Sequence, residues 1–387
     1  MKKYCLVIIT LMVCGMFILG VSAVPVIVGF RNGTTVRVDD CSGVRSAGAA
    51  ASSVASVSTL GTVKYTYSAI SAIATDLSES EIDRLENNGD VRYIEPDYPV
   101  HILTPAMPWN IRIIGADKVQ ETGTNGSGVR VVVIDTGIDY THPDLKNLYK
   151  GGYNVLGRNN NPWDDNGHGT HCSGIIAATG GENGMYGTAP GVDLYEVKVL
   201  DNLGQGNVSD VIEGITWAKD HHMQVASMSI STPFDSQALH DAVDNATENG
   251  VLIVAAAGND GNKNGMGETM EYPAKYDSVI SVAAVNYDGQ RVWFSSTGSN
   301  LSVSAPGFMI NSTYPGNRYV ILNGTSMAAP HVAGVAALVW QAHPTWTAEQ
   351  VKEQLLCTAT PLGTHSLYGT GLVNASAAVA GAGSPCQ

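Results

Sequence analysis

The sequence predicts an α/β protein, with a mainly parallel sheet covered by helices on both faces, preceded by a small α+β domain. Three observations carry this expectation. After residue 109 the apolar runs are continuous rather than alternating, as in "VRVVVID", "VDLYEVKVL", "MQVASMSI", "GVLIVAAAGN" and "DSVISVAAV", which marks strands buried on both faces. Helical patterns such as "GTHCSGIIAAT", "NVSDVIEGITWAKDH" and "DSQALHDAVDNATENG" separate them, so the strands are joined by crossovers and run parallel. Before residue 104 the elements are too few and too short for such a sheet. Composition agrees: 387 residues, 44% hydrophobic, with 43 glycines, describe a folded chain with many tight turns. A formal charge of −14 argues against nucleic acid as a partner, because phosphate binding needs a basic face.

Taken in order, residues 1–23 read as a signal peptide. Lys2 and Lys3 precede a long apolar run ending in "VSA", with small residues where a signal peptidase requires them. The run approaches the length of a membrane span, but the cleavage pattern favours removal. The protein is therefore expected to be secreted, with no stable membrane anchor. Residues 24–103 form the small domain: "VPVIVGF" is a strand and "CSGVRSAGAAASSVASVSTLG" a low-complexity loop. "VKYTYSAISAIATDL" gives two strands, "SESEIDRLENNG" a helix with Ser78 as N-cap and Glu81 three residues on, and "VRYIEPDYPVHIL" a last strand. The passage "PVHILTPAMPW" that follows is no helix, since Pro99, Pro105 and Pro108 suit extended chain. Residues 104–387 form the large domain.

In open parallel sheets the chemistry collects beyond the carboxyl ends of the strands. Three such places stand out: Asp135 in "DTGIDYTHPDL", His168 in "DDNGHGTHCSG", and Ser326 in "NGTSMAAPHVAGVAALV". A serine hydroxyl is a poor nucleophile until a base takes its proton, histidine titrates near neutrality, and a buried carboxylate fixes the imidazole tautomer. Singly, Asp135 is also a plausible turn residue, His168 a core histidine and Ser326 a helix cap. Together, in glycine-rich settings after strands of one sheet, they are hard to explain as structure alone.

The motifs "DTGID", "HGTHCSG" and "GTSMAAPH" resemble the aspartate, histidine and serine signatures of the subtilisin-like serine proteases, the subtilase family. The resemblance extends over the chain after residue 23. It implies the subtilisin-like three-layer fold, a secreted serine endopeptidase made as a zymogen, and polypeptide substrates. Asp135, His168 and Ser326 become the triad. "VAAAGND" resembles the oxyanion-hole segment, which makes Asn259 a donor beside the Ser326 backbone N–H, with Thr325 in support. Substrate is expected to lie extended between residues 203–206 (Leu203, Gly204, Gly206) and Ser229, Ile230 and Ser231, adding as a strand. Ala256, Ala257 and Gly258 wall the pocket for the residue before the scissile bond, and Glu271 stands at its base.

The chain also departs from the family. "SISTP" carries Ser231 where glycine is usual, and Glu271 replaces a small residue. Turned inward, Glu271 would accept lysine or arginine; turned to solvent, the expected orientation for a glutamate, it leaves an apolar pocket and broad specificity. Asp144 matches a family calcium ligand, but Gly181 stands where relatives place a ligating asparagine, so a structural calcium is possible rather than implied, and no cofactor is required for the chemistry. Cys172, one turn past His168, reads as a buried thiol, and His171 and His331 as structural. Cys357 and Cys386 are a candidate disulfide. Asn125, Asn207 and Asn311 begin glycosylation sequons. A monomer is expected.

Residues 24–103 resemble the family's propeptide of the inhibitor I9 type, an intramolecular chaperone and inhibitor. The expected processing site is the bond between Leu103 and Thr104, kept extended by Pro99 and Pro105, which would place Leu103 in the pocket near Glu271. Two other readings are weaker. A silent binding protein on a protease fold predicts a missing triad or oxyanion residue, and all four are present. An esterase of α/β-hydrolase type needs Gly-x-Ser-x-Gly and the order Ser, Asp, His, and neither occurs.

Overall fold

In a computed structural model, which describes residues 24–31, 63–98, 107–181 and 185–381, the chain divides between residues 102 and 103 into two units. The expected signal peptide, the low-complexity loop, the Leu103–Thr104 bond and Cys386 lie outside the described residues.

The first unit contains β1 (Val24–Phe30), β2 (Val63–Tyr67), β3 (Ala72–Leu77), α1 (Glu79–Glu86) and β4 (Val91–Pro96). Its strands form one antiparallel sheet in the order β2-β3-β1-β4. Val26, Val28 and Phe30 alternate along β1 and so share a face, where they meet Ile73, Leu77 and Leu85 in a small core. Glu81 closes the capping box on α1 by accepting the Ser78 backbone N–H at 2.7 Å.

The second unit opens with α2 (Trp109–Ile113) and α3 (Ala116–Glu121). It continues through β5 (Arg130–Asp135), β6 (Tyr149–Asn154), α4 (His168–Ala177), β7 (Asp193–Lys198), α5 (Val208–Asp220), β8 (Val225–Met228), α6 (Gln237–Glu248), β9 (Leu252–Ala256) and β10 (Ile280–Val285). It ends with β11 (Val303–Pro306), a hairpin of β12 (Ile310–Tyr314) and β13 (Arg318–Leu322), α7 (Thr325–Ala342), α8 (Ala348–Cys357), α9 (His365–Tyr368) and α10 (Ala375–Val379).

Seven strands make one parallel sheet in the order β11-β10-β9-β8-β5-β7-β6. The continuous apolar runs are explained by cover on both faces. Along β5, Val131 and Val133 join the core shared with α4 and α7, whereas Val132 and Ile134 join the core shared with α5 and α6. Each such side chain contributes roughly 1.5–3 kcal/mol through burial. The edge strands β6 and β11 were not anticipated; β6, "YKGGYN", is only half-buried and so carries no apolar run. The chain leaves β5 for β6 and β7 on one side, then crosses to β8 on the other. That reversal opens a crevice beyond the end of β5.

Cys357 is disulfide-bonded, while Cys172 is free and buried. Among the described residues no helix is long and apolar enough to cross a membrane.

Candidate active site

Asp135 is the last residue of β5, at that crevice, and is fully buried. Its Oδ1 accepts the Thr136 backbone N–H at 2.7 Å and, at 2.8 Å, the Nδ1 of His168, whose distance to Oδ2 is 3.0 Å. An ionised carboxylate only accepts, so Nδ1 carries the proton and Nε2 is left as the basic nitrogen. His168 is the first residue of α4, and its turn is held in place by side chains. The N–H of His168 donates to Asn166 Oδ1 (3.1 Å), that of Gly169 to Thr136 Oγ1 (2.9 Å), and that of Thr170 to Asp164 Oδ2 (2.9 Å). The imidazole stays 27% exposed, its Nε2 free of hydrogen bonds among the described residues, and it lines a groove. Burial opposes its protonation, but the Asp135 carboxylate outweighs burial and holds His168 well above its ordinary value.

Ser326 is the second residue of α7, a helix buried along nearly its whole length. Its hydroxyl donates to the Ser229 carbonyl at 3.2 Å, and no hydrogen bond joins it to His168 in this resting arrangement. Serine and base are often misaligned without substrate. The Ser326 carbonyl accepts from Ser229 Oγ (2.7 Å) and Cys172 Sγ (3.5 Å). Cys172 Sγ also lies 3.9 Å from His168 Nδ1, so the thiol sits against the triad as its spacing suggested; burial pushes its pKa up, which keeps it protonated and unreactive. Asp135, His168 and Cys172 offer ligand atoms within 4.8 Å of one another, yet a cation there would have to break the carboxylate–imidazole pair.

Asn259 stands exposed after β9, beyond Gly258, whose φ of +109° suits glycine. Its Oδ1 accepts the Thr325 backbone N–H at 2.9 Å and the Thr325 hydroxyl at 3.1 Å. A backbone N–H can only donate, so the amide oxygen is fixed toward α7 and Nδ2 is turned away from it. Thr325 is fully buried and is also held by Gly258, whose carbonyl accepts from Oγ1 at 3.1 Å.

Gly204, Gly206, Ser229, Ile230 and Ser231 line the groove beside His168, of about 560 Å³. Leu203 does not: it stands on a turn, 72% exposed, because Asp201 Oδ1 accepts the N–H groups of Leu203 and Gln205 and turns its side chain outward. Ala256 and Ala257 are buried. Glu271 is half-buried. Its carboxylate accepts from Ser231 Oγ, and it lies 3.3 Å from where a Cβ on Gly258 would stand. It thereby bridges the Ser229–Ser231 and Ala256–Gly258 segments, because Ser231, the other departure from the family, supplies a hydroxyl within reach. Burial, and then the adjoining Asp260 against the opposing hydrogen bond from Ser231, raise its pKa. Sequence reasoning missed Asp260 and Asn166; Asn166 lines the groove, as does Gln205 within the expected segment 203–206, and proximity to His168 was the only available signal for Asn166.

Asp144 is buried, with Oδ1 accepting the Gly181 N–H and Oδ2 the Tyr319 hydroxyl, both at 2.8 Å. Both oxygens face protein donors, and no set of three metal-ligating side chains gathers around Asp144 among the described residues. His331 Nδ1 donates to the Met327 carbonyl (2.8 Å) and Nε2 meets Asn110 Nδ2 (2.7 Å), and burial pushes its pKa down to about 4. His171 is likewise pushed down to about 4 by burial. Both are structural.

Residues 126–371 match the subtilase family and residues 25–103 the peptidase inhibitor I9 family. The chain is 46% identical to subtilisin E of Bacillus subtilis over 319 residues, 82% of this chain and 83% of the relative. It is 44% identical to M-protease of Shouchella clausii over 312 residues, covering 81% and 80% of the two chains. A thermostable alkaline protease of Halalkalibacterium halodurans is 44% identical over 316 residues, 82% and 85% of the two.

Proposed function

The chain belongs to the subtilase family, a subtilisin-like serine endopeptidase with an inhibitor-type propeptide, and we propose that Asp135, His168 and Ser326 carry out its chemistry. The observation that carries this reading is the buried Asp135 carboxylate on His168 Nδ1, which leaves Nε2 basic at the groove. When an extended peptide lies along Ser229, the Ser326 hydroxyl turns from the Ser229 carbonyl to His168. Nε2 takes its proton as Oγ attacks the scissile carbonyl; the imidazolium, stabilised by Asp135, then gives that proton to the leaving amine. Water repeats the sequence on the acyl-enzyme. The tetrahedral oxyanion is met by the Ser326 backbone N–H and by Asn259 Nδ2, which Thr325 aims by holding the amide oxygen.

The same triad cuts the bond between Leu103 and Thr104, and the secreted enzyme begins at Thr104. Calcium at Asp144 plays no part in this reading. Specificity before the scissile bond is broad, taking apolar side chains of leucine size. The Glu271 carboxylate between the pocket walls, with Asp260 beside it, extends acceptance to lysine and arginine. The test is kcat/KM on peptides that differ only in leucine, lysine or glutamate before the cleaved bond. Lysine is expected within about tenfold of leucine and glutamate far below both; lysine as poor as glutamate overturns the role of Glu271.

A further inference from the structure

Glu196, in the middle of β7, is fully buried, yet the chemistry above makes no use of it. Its Oε1 accepts the Gly137 backbone N–H at 3.2 Å, and its Oε2 is 3.3 Å from Ser173 Oγ. Gly137 lies in the loop that follows Asp135, and Ser173 lies on α4, which begins at His168. We propose that Glu196 is a positioning residue of the triad, its carboxyl tying the loop after Asp135 to the helix that carries His168. The inference rests on the triad assignment above.

An account of that loop's amides shows what Glu196 does. Thr136 N–H donates to Asp135 Oδ1, Ile138 N–H to the Pro162 carbonyl, and Asp139 N–H to Thr170 Oγ1. Gly137 N–H is the remaining one of the four, and Glu196 is its acceptor. The loop has no room to turn that amide elsewhere: Gly137 has φ +116°, and a Cβ there would stand 2.6 Å from the Pro162 carbonyl oxygen and 2.8 Å from that of Trp163. An apolar side chain at 196 would leave a buried N–H unpaired directly after the residue that orients His168, and buried backbone donors are rarely left so.

The charge environment decides which form of Glu196 performs this task. The titratable groups facing it are Asp135 from β5, Asp164 from the loop before α4, and Tyr149 from β6. Lys198, two residues along the same strand, is committed to the Thr136 carbonyl (2.5 Å), Asp165 (2.8 Å) and the Leu200 carbonyl (2.8 Å). Burial first, then the Asp135 and Asp164 charges, raise Glu196 well above the ordinary carboxyl value. One oxygen accepts the Gly137 N–H and the other accepts from the Ser173 hydroxyl.

Glutamine keeps an acceptor for the Gly137 N–H and a polar group beside Ser173, whereas leucine keeps only the volume. The test measures kcat, KM and the acid limb of kcat/KM against pH for secreted mature Glu196→Gln, Glu196→Leu and Ser173→Ala, with active sites counted by burst titration so that unfolded protein does not enter the rates. Glu196→Gln is expected within about twofold of wild type with the acid limb unmoved. Glu196→Leu is expected to lose at least tenfold in kcat at nearly constant KM, with the acid limb displaced. Ser173→Ala, a small excision that keeps the helix, is expected to lose a few-fold in the same direction. Wild-type kcat and pH profile in both Glu196→Leu and Ser173→Ala overturn the proposal. So does an acid limb moved to lower pH in Glu196→Gln, which would mean an ionised carboxylate acting on His168. Ser326→Ala, assayed alongside, separates a failure here from a failure of the triad: activity surviving in Ser326→Ala contradicts the triad, whatever the Glu196 variants do.

Discussion

Around Asp135 and His168 the protein is closed. Asp135, Thr136, Asp164, Thr170, Ser173 and Glu196 are all buried, and successive amides from Thr136 to Asp139 each have a fixed acceptor. The residues after β9 and around Ser231 are open: Asn259 and Asp260 are exposed, and Ser231 meets Glu271 in an exposed contact. The difference teaches that the base is built by rigidity and the specificity by side chains free to vary. A closed network tolerates almost no substitution, because each member satisfies another buried group. An open wall is solvated on one side, so a substitution there leaves fewer buried groups without a partner.

Four experiments bear on that contrast. His168→Ala attacks the closed side and should have the largest effect, a loss in kcat on the order of 10⁶-fold, the size such removal has in a subtilisin. Steady-state rates on a peptide anilide check it, and a loss below a hundredfold would mean another base. Asn259→Ala lies at the border of the two regions. It should lower kcat about 10²–10³-fold with KM little changed; a pure KM effect would place Asn259 in binding rather than in the oxyanion hole.

Glu271→Gln tests the open side alone. The ratio of lysine to leucine cleavage should fall about tenfold while kcat on leucine peptides holds. The sign of the pH effect follows from the raised carboxyl: ionised only above that raised value, Glu271 favours lysine increasingly as pH climbs through it and loses the preference below. A pH-independent ratio would remove Glu271 from the pocket.

The smallest effect concerns stability of the closed side. His331 and His171 are near 4 when folded and 6.5 is their ordinary value, so unfolding takes up protons between those pH values. Stability is therefore full above about 6.5 and declines as pH falls, levelling below about 4. In urea titrations on a Ser326→Ala background, His331→Gln should lose roughly 0.5–1 kcal/mol less than its parent between pH 7 and pH 6. Parallel pH curves would contradict a neutral buried His331.

The sequence revealed the closed region far better than the open one. Continuous apolar runs exposed the parallel strands, and Asp135, His168 and Ser326 each follow a glycine-rich signature whose chemistry admits few substitutes. The edge strand β6 escaped because half-buried strands carry no apolar run. Leu203 was misplaced because a turn set by Asp201, not a periodic pattern, directs its side chain outward. The contact of Glu271 with Ser231 escaped because it depends on three-dimensional proximity rather than on any sequence pattern. Glu196 was invisible within "DLYEVKVL", where one acidic letter among apolar neighbours gives no hint of a buried acceptor.

The most direct test of the triad is covalent. A sulfonyl fluoride applied to the mature enzyme, followed by peptide mapping, should label one residue per active site, Ser326, and labelling should be abolished in His168→Ala. A label on any other residue, or an unlabelled enzyme that remains active, would contradict the account.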